Sequence, residues 1–254
     1  MYRKLLIMVV LLAAGTPTAF AQGEEETPMP FVYGIYFECD VARQDLADEI
    51  MDLVMAPVWD AAVEDGTVAS WGWLSHHTGA KWRRLLYHSA PDLDGLMAAL
   101  TKVNGTIDER YPEMGRLFSE ICGTHDDYVW HSVTGSRGGN VGSDRGDAGF
   151  SVYMECDMSR ETRADEILEE VYAPILDRHV GDGKLMSWGW MEHVIGGVYR
   201  RILTMSAADH SALLGARSAI IQELYDTNSD ATKEFDSICG SHQDYVWNIV
   251  HEKP

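Results

Sequence analysis

Apolar and polar residues alternate along the segment from Phe31 to Asp40. One parity is apolar, while the other mixes glycine, tyrosine and glutamate. A period of two with one apolar face predicts a β-strand. From Arg43 the apolar residues recur at helical spacing, and we expect a kink or break in this helix near Ala56 because Pro57 cannot donate a backbone hydrogen bond.

The remaining pattern predicts two further strands joined by a short glycine turn, a second helix and a last strand. Asp92 is the predicted N-cap of the second helix. The strands are predicted at 68–77, 81–89 and 127–133, in the order βαββαβ.

The whole pattern returns later in the chain. The stretch Ile121–Trp130 recurs as Ile238–Trp247, at an offset of 239 − 122 = 117. Without gaps, residues 35–133 align with residues 152–250, and about 40 of the 99 pairs are identical, which indicates a duplication. The second half then has predicted strands at 185–194, 198–206 and 244–250, a kink near Ala173 and an N-cap at Asp209.

The order βαββαβ is the split-βαβ, ferredoxin-like plan. Two such units in tandem resemble the dimeric α+β barrel superfamily, whose sheets pack face to face. The expected fold is therefore an α+β pseudo-dimeric barrel within one chain, and we expect the protein to be a monomer. We assign residues 31–133 to the first unit, 134–148 to a Gly-rich linker and 149–251 to the second unit.

The N-terminus has the order of a secretory signal peptide. Arg3 and Lys4 precede an apolar run, which leads to Ala19-Phe20-Ala21. We expect a signal peptide at 1–21, an acidic leader at 22–30 and a secreted or periplasmic protein. An uncleaved anchor is the alternative, but the run is shorter than the ~20 residues that span a bilayer.

The net charge of the chain excludes some classes of binding partner. The chain has 40 acidic and 20 basic residues, a formal net charge of −20. Such a surface repels phosphate backbones and anionic lipids, so we expect no nucleic-acid partner and no membrane partner after signal cleavage.

The four cysteines occupy equivalent positions in the two halves. In the ferredoxin-like topology the first and last strands are neighbours, so we expect disulfides Cys39–Cys122 and Cys156–Cys239. The alternative is metal, because Cys122 and His125 form a C-x-x-H pair that Cys39 and Asp40 complete as zinc-type ligands. Export favours the disulfides, and we predict no metal.

The same topology gathers polar residues of both halves at one edge of each sheet. His76 and His193 are the candidate catalytic bases, since a carboxylate beside a histidine adjusts its pKa and tautomer. Arginine there is suited to an anionic group. The candidate ligand-binding residues are Glu38, Asp40, Arg83, Arg84, His125, Asp127, Glu155, Asp157, Arg200, Arg201, His242 and Asp244. The structural alternative is that these residues only pair at strand ends.

We therefore expect a secreted or periplasmic barrel that binds a small ligand, with an anionic group as one option. The alternatives are a cofactor-independent monooxygenase-like enzyme and a structural or partner-binding module without a small ligand. The superfamily resemblance implies monooxygenases and haem proteins, but no proximal-histidine motif is present, so no cofactor is predicted. Whether the chain is an enzyme is left open.

Overall fold

The computed structural model describes residues 29–137 and 145–254 and shows an α+β protein built on a closed eight-stranded antiparallel barrel. The predicted signal peptide, most of the acidic leader and the centre of the predicted linker lie outside the described residues. The strands are β1 Phe31–Phe37, β2 Ser70–Thr78, β3 Arg84–Ala90, β4 His125–Arg137, β5 Ala148–Glu155, β6 Ser187–Ile195, β7 Arg201–Ala207 and β8 Ser241–Lys253.

The strand order around the barrel is β1-β3-β2-β8-β5-β7-β6-β4. Strands of the first half are therefore contiguous as β4-β1-β3-β2, and those of the second half as β8-β5-β7-β6. The barrel closes where β2 pairs with β8 and where β4 pairs with β6.

The last strand of each half, β4 or β8, is longer than the alternation of apolar and polar residues predicted. Both β4 and β8 span 13 residues. The first part of β4 pairs with β1, and its second part pairs with β6 as far as the Arg137–Ser187 pair. The strand thus continues into the range assigned to the linker, because its partner there comes from the other half of the chain.

Helices cover the outside of the barrel. They are α1 Gln44–Ile50, α2 Ala56–Glu64, α3 Leu93–Arg110, α4 Pro112–Ile121, α5 Glu161–Ile167, α6 Ala173–Gly181 and α7 His210–Cys239. Asp92 and Asp209 accept hydrogen bonds from the backbone N–H groups of Gly95 and Ala212, which confirms both as N-caps.

The expected helix break has a different form. A π-helical turn occupies Met51–Met55 and again Leu168–Tyr172, and the α-helix resumes at Ala56 and Ala173. The proline follows in the first turn of the resumed helix, where its missing N–H is tolerated.

The two faces of each strand have different surroundings. On β1, Ile35 and Phe37 pack outward against the helices, whereas Val32 and Tyr36 face the barrel interior. The apolar parity in the sequence is therefore the helix-facing side. The mixed parity, with its glycines, lines the barrel.

Both predicted disulfides are present, Cys39–Cys122 and Cys156–Cys239. Each joins the end of the first strand of a half to the turn before its last strand. Disulfides are typical of oxidising, non-cytoplasmic compartments.

None of the helices in the described part of the chain is long and apolar enough to cross a membrane.

Candidate functional site

The arginines at the predicted polar edge point outward, toward the helices. Arg84 is only 3% exposed, and its guanidinium forms a bidentate pair with Asp48 of α1, with an Nε–Oδ1 distance of 2.6 Å. In the second half Arg201 binds Asp165 in the same way, with an Nε–Oδ1 distance of 2.8 Å. Both arginines are therefore neutralised by carboxylates that the sequence analysis did not consider.

The two candidate catalytic histidines each contact an arginine. Arg83 Nη1 donates to His76 Nδ1 at 2.9 Å, and Arg200 Nη1 donates to His193 Nδ1 at 2.8 Å. Since Nδ1 accepts, Nε2 carries the proton, and in both rings Nε2 is buried and interacts with the backbone of Gly79 or Gly196 without completing a well-formed hydrogen bond. Burial, followed by the adjacent arginine, lowers the pKa of both histidines and keeps them neutral.

The carboxylates of the edge have separate, local partners. Lys81 bridges Glu38 and Asp126 at 2.7 and 2.8 Å. Asp40 and Asp157 lie in turns, where each pairs with the arginine three residues later. Glu155 is exposed at the end of β5.

The remaining edge residues form two exposed His–Asp pairs. His125 Nε2 lies 3.5 Å from Asp127, and His242 Nε2 lies 3.5 Å from Asp244, which also contacts Arg217. The structure thus brings the edge residues together in small groups and not in one pocket. Their role in ligand binding stays a prediction.

A cavity of about 210 Å³ occupies the barrel interior and lies toward the opposite end from the polar edge. Stacked aromatic rings fill the barrel at the polar-edge end, among them Trp82 on Tyr245 with centroids 4.9 Å apart. Residues on the inward faces of all eight strands line the cavity: Val32, Gly34, Tyr36, Ser70, Leu74, Leu85, Tyr87, Ser89, Trp130, Ser132, Gly149, Ser151, Tyr153, Ser187, Gly189, Met191, Ile202, Thr204 and Trp247.

A charged pair borders this cavity. Arg145 Nε donates to Glu252 Oε2 at 3.0 Å, and Tyr87 Oη donates to Glu252 Oε1 at 2.6 Å. The side chains of Arg145 and Glu252 are 18% and 8% exposed. The guanidinium is therefore neutralised while it borders the cavity.

Polar atoms deeper in the cavity differ between the halves. Trp130 Nε1 donates to Tyr36 Oη at 3.2 Å. The equivalent residues are Trp247 and Tyr153, and Trp247 Nε1 is buried without a hydrogen-bond partner. The Tyr153 hydroxyl interacts with those of Tyr36 and Ser151 without completing a well-formed hydrogen bond.

The hydroxyls of Tyr36 and Tyr153 are neutral at neutral pH. Burial raises the pKa of Tyr36 and of Tyr153 well above its usual range, because the charged form loses its hydration. Two serine pairs are also neutral and satisfied, Ser70 with Ser89 at 2.6 Å and Ser187 with Ser206 at 2.7 Å. Trp247 Nε1 is therefore a donor in need of an acceptor.

Sequence reasoning missed most of this cavity. Arg145 lies in the predicted linker and Glu252 lies beyond the predicted last strand, so neither entered the comparison of the two halves. Among the aromatic residues of the first half, Tyr36 lines the cavity, whereas Tyr128, Trp71 and Trp73 do not. Strand parity was the available signal, since it separates inward from outward residues.

Trp71 and Trp73 belong to the helix-facing core. Their indole N–H groups donate to Asp60 and Asp48 at 2.8 and 2.9 Å. Both are therefore packing residues of the first half.

Comparison with solved structures supports the fold. An anthrone oxidase-like protein is 13% identical with a TM-score of 0.58, covering 90% of this chain and 94% of its own. A candidate monooxygenase from Lactobacillus acidophilus is 6% identical with a TM-score of 0.58, covering 86% and 93%. A mutant chlorite dismutase from Candidatus Nitrospira defluvii, in complex with cyanide, is 10% identical with a TM-score of 0.55, covering 89% and 92%.

No family model matches the chain, and no curated protein matches it. The structural matches are all of low identity and establish the dimeric α+β barrel fold alone.

Proposed function

We propose that this chain is a secreted or periplasmic binding protein that holds a small molecule in the barrel interior. Its two halves are tandem ferredoxin-like units packed as a pseudo-dimer, and it acts as a monomer. The strand order supports this organisation, because each half contributes four contiguous strands. The disulfides support export.

The observation that carries the proposal is a cavity of about 210 Å³ that Trp247 lines, together with the buried indole N–H of this residue, which has no hydrogen-bond partner. A buried donor without a partner costs about 1–3 kcal/mol, which an acceptor on a ligand would recover. The volume lies between the ~150 Å³ cavity that accepts benzene and the ~300 Å³ at the lower end for drug-sized ligands. The size fits a one- or two-ring molecule and does not fit a haem.

Charge around the cavity does not require an anionic ligand. The guanidinium of Arg145 is the one cation among the described lining residues, and Glu252 already neutralises it. The neutral donor Trp247 Nε1–H is suited to any oxygen acceptor. An anionic group therefore remains one option, beside neutral carbonyl compounds.

Native mass spectrometry and ligand-observed NMR test the proposal on the exported protein. Co-purified or added small molecules should bind the wild type, and Trp247→Phe should bind them at least tenfold more weakly. The matched control is Trp130→Phe, the equivalent position, whose N–H is satisfied by Tyr36. Equal binding by wild type and Trp247→Phe would contradict the proposed role of the Trp247 N–H in binding.

A cofactor-independent monooxygenase is the second candidate, and what favours it is the fold shared with an anthrone oxidase-like protein and a candidate monooxygenase. Its proposed bases are His76 and His193. In both histidines Nδ1 accepts a hydrogen bond from an arginine, and neither histidine lines the cavity. These contacts favour a binding protein over an enzyme that abstracts a proton. Oxygen consumption with a bound ligand, lost in the double alanine variant, would support catalysis.

A folded, exported protein that binds no small molecule would instead support the third expectation, a structural or partner-binding module.

A further inference from the structure

An aromatic ring fills one side of the barrel in the first half of the chain. The ring of Tyr87 lies directly over Gly72, so that a Cβ atom at Gly72 would meet Tyr87 Cε1 at 2.5 Å. No real side chain tolerates this distance. Glycine at position 72 is therefore required by the tyrosine that covers it.

The second half keeps the glycine but lacks the ring. The equivalent of Gly72 is Gly189, and the equivalent of Tyr87 is Thr204, whose Oγ1 donates to the Gly189 carbonyl at 3.4 Å. A Cβ atom at Gly189 would meet no ring, only Thr204 Oγ1 at 3.1 Å. Gly189 and Thr204 line the cavity, whereas Gly72 does not. The cavity thus includes the space that Tyr87 fills in the other half.

Trp247 and Tyr153 belong to strand positions next to this space. Thr204 pairs with both Gly189 and Ser151, so the three residues form one row across the sheet. Trp247 belongs to the neighbouring row on one side, through Gly149, and Tyr153 to the neighbouring row on the other side. Inward rows are two residues apart, about 7 Å, which is within the length of a one-ring compound with a short substituent.

We propose that the cavity binds a flat aryl compound with an oxygen acceptor: its ring packs on the bare backbone of Gly189, and its oxygen accepts from Trp247 Nε1. This inference rests on the proposed function and names the ligand class. Two independent observations carry it, the vacant ring position and the unpartnered donor. Aryl ketones, aldehydes, amides and phenols are the members of this class that the volume admits.

The ring contact and the hydrogen bond of this proposal can be tested separately with probes that differ in one feature. Acetophenone has both the ring and the carbonyl, ethylbenzene lacks the carbonyl, and cyclohexyl methyl ketone lacks the flat ring. The wild type should bind acetophenone about tenfold more tightly than ethylbenzene, the value of one hydrogen bond in a buried site. It should also bind acetophenone more tightly than cyclohexyl methyl ketone, whose puckered ring packs less closely on a flat backbone. In Trp247→Phe the preference for acetophenone over ethylbenzene should disappear.

Thr204→Tyr introduces at position 204 the residue found at the equivalent position of the first half, Tyr87. Because Gly189 still lacks a Cβ, the new ring should lie as Tyr87 does, and all three probes should lose binding while thermal stability is kept or raised. Thr204→Val is the matched control, since it removes the hydroxyl and leaves the space open. If the tyrosine variant does not fold, the comparison of the three probes on the wild type and on Trp247→Phe tests the proposal.

The outcomes separate this inference from the proposed function. If the three probes bind equally, or if cyclohexyl methyl ketone binds best, and Thr204→Tyr still blocks binding, the cavity is a binding site and the aryl class is wrong. If neither these probes nor any other small molecule binds the wild type, both proposals fail.

Discussion

The carboxylate of Asp48 holds the buried guanidinium of Arg84 in a bidentate ion pair. The same Oδ1 accepts from the indole of Trp73 at 2.9 Å. Asp165, Arg201 and Trp190 repeat the arrangement in the second half. The carboxylate thus ties the first helix of each half to two strands of the barrel.

Asp48→Asn should destabilise the protein strongly. The substitution leaves the Arg84 guanidinium, 4% exposed, without its counter-charge, and breaking a buried pair in this way costs about 3–5 kcal/mol. Urea unfolding measures the change. Asp40→Asn is the control, because its pair with Arg43 is exposed and should contribute little. A comparable loss of unfolding free energy in both variants would show that the buried ion pair stabilises the protein no more than the exposed pair does.

Removal of one disulfide should also destabilise the protein. Each bridge joins cysteines 83 residues apart, and the chain-entropy model gives about 4 kcal/mol for a loop of this length. The double variant Cys39→Ser, Cys122→Ser and its counterpart at Cys156 and Cys239 should therefore both lower the urea midpoint. A mass four hydrogens below that of the fully reduced chain would verify the two bridges; an unchanged mass on reduction would contradict them.

The order of the elements followed from periodicity and duplication, because the same local pattern occurs twice. The cysteine pairing followed from the ferredoxin-like topology, in which the first and last strands are neighbours. The partners of the edge residues did not. Asp48 lies on a helix, and only the packed structure shows that Arg84 turns outward to meet it. The cavity could not be predicted either, because it depends on differences between the two halves, such as Tyr87 in one and Thr204 in the other. The sequence comparison emphasised the residues that the halves share.

His88 should make the protein sensitive to mild acid. Its side chain is fully buried between Tyr33 and Trp59, and burial lowers its pKa from 6.5 to about 4. Above pH 6.5 the group is neutral in both states and has no effect. Between pH 6.5 and 4 only the unfolded state takes up the proton, so the free energy of unfolding falls by about 1.4 kcal/mol per pH unit.

The test for His88 uses the residue that the other half supplies. The equivalent position holds Met205, so His88→Met should fold and should lose about 2 kcal/mol less than the wild type between pH 7 and pH 5. His125→Gln, at an exposed histidine, is the control and should behave as the wild type. Parallel pH profiles for His88→Met and wild type would show that His88 titrates normally in the folded protein.

Glu252→Gln should change the charge preference of the cavity. Glu252 neutralises Arg145 and accepts from Tyr87, so glutamine leaves a net positive charge beside the cavity. Benzoate should then gain affinity relative to the neutral acetophenone, by about tenfold if the freed guanidinium contacts the carboxylate. Because the variant also leaves a buried cation unpaired, its stability should fall, and binding is to be measured well below its melting temperature. An unchanged ratio of the two affinities would place the bound ring out of reach of Arg145.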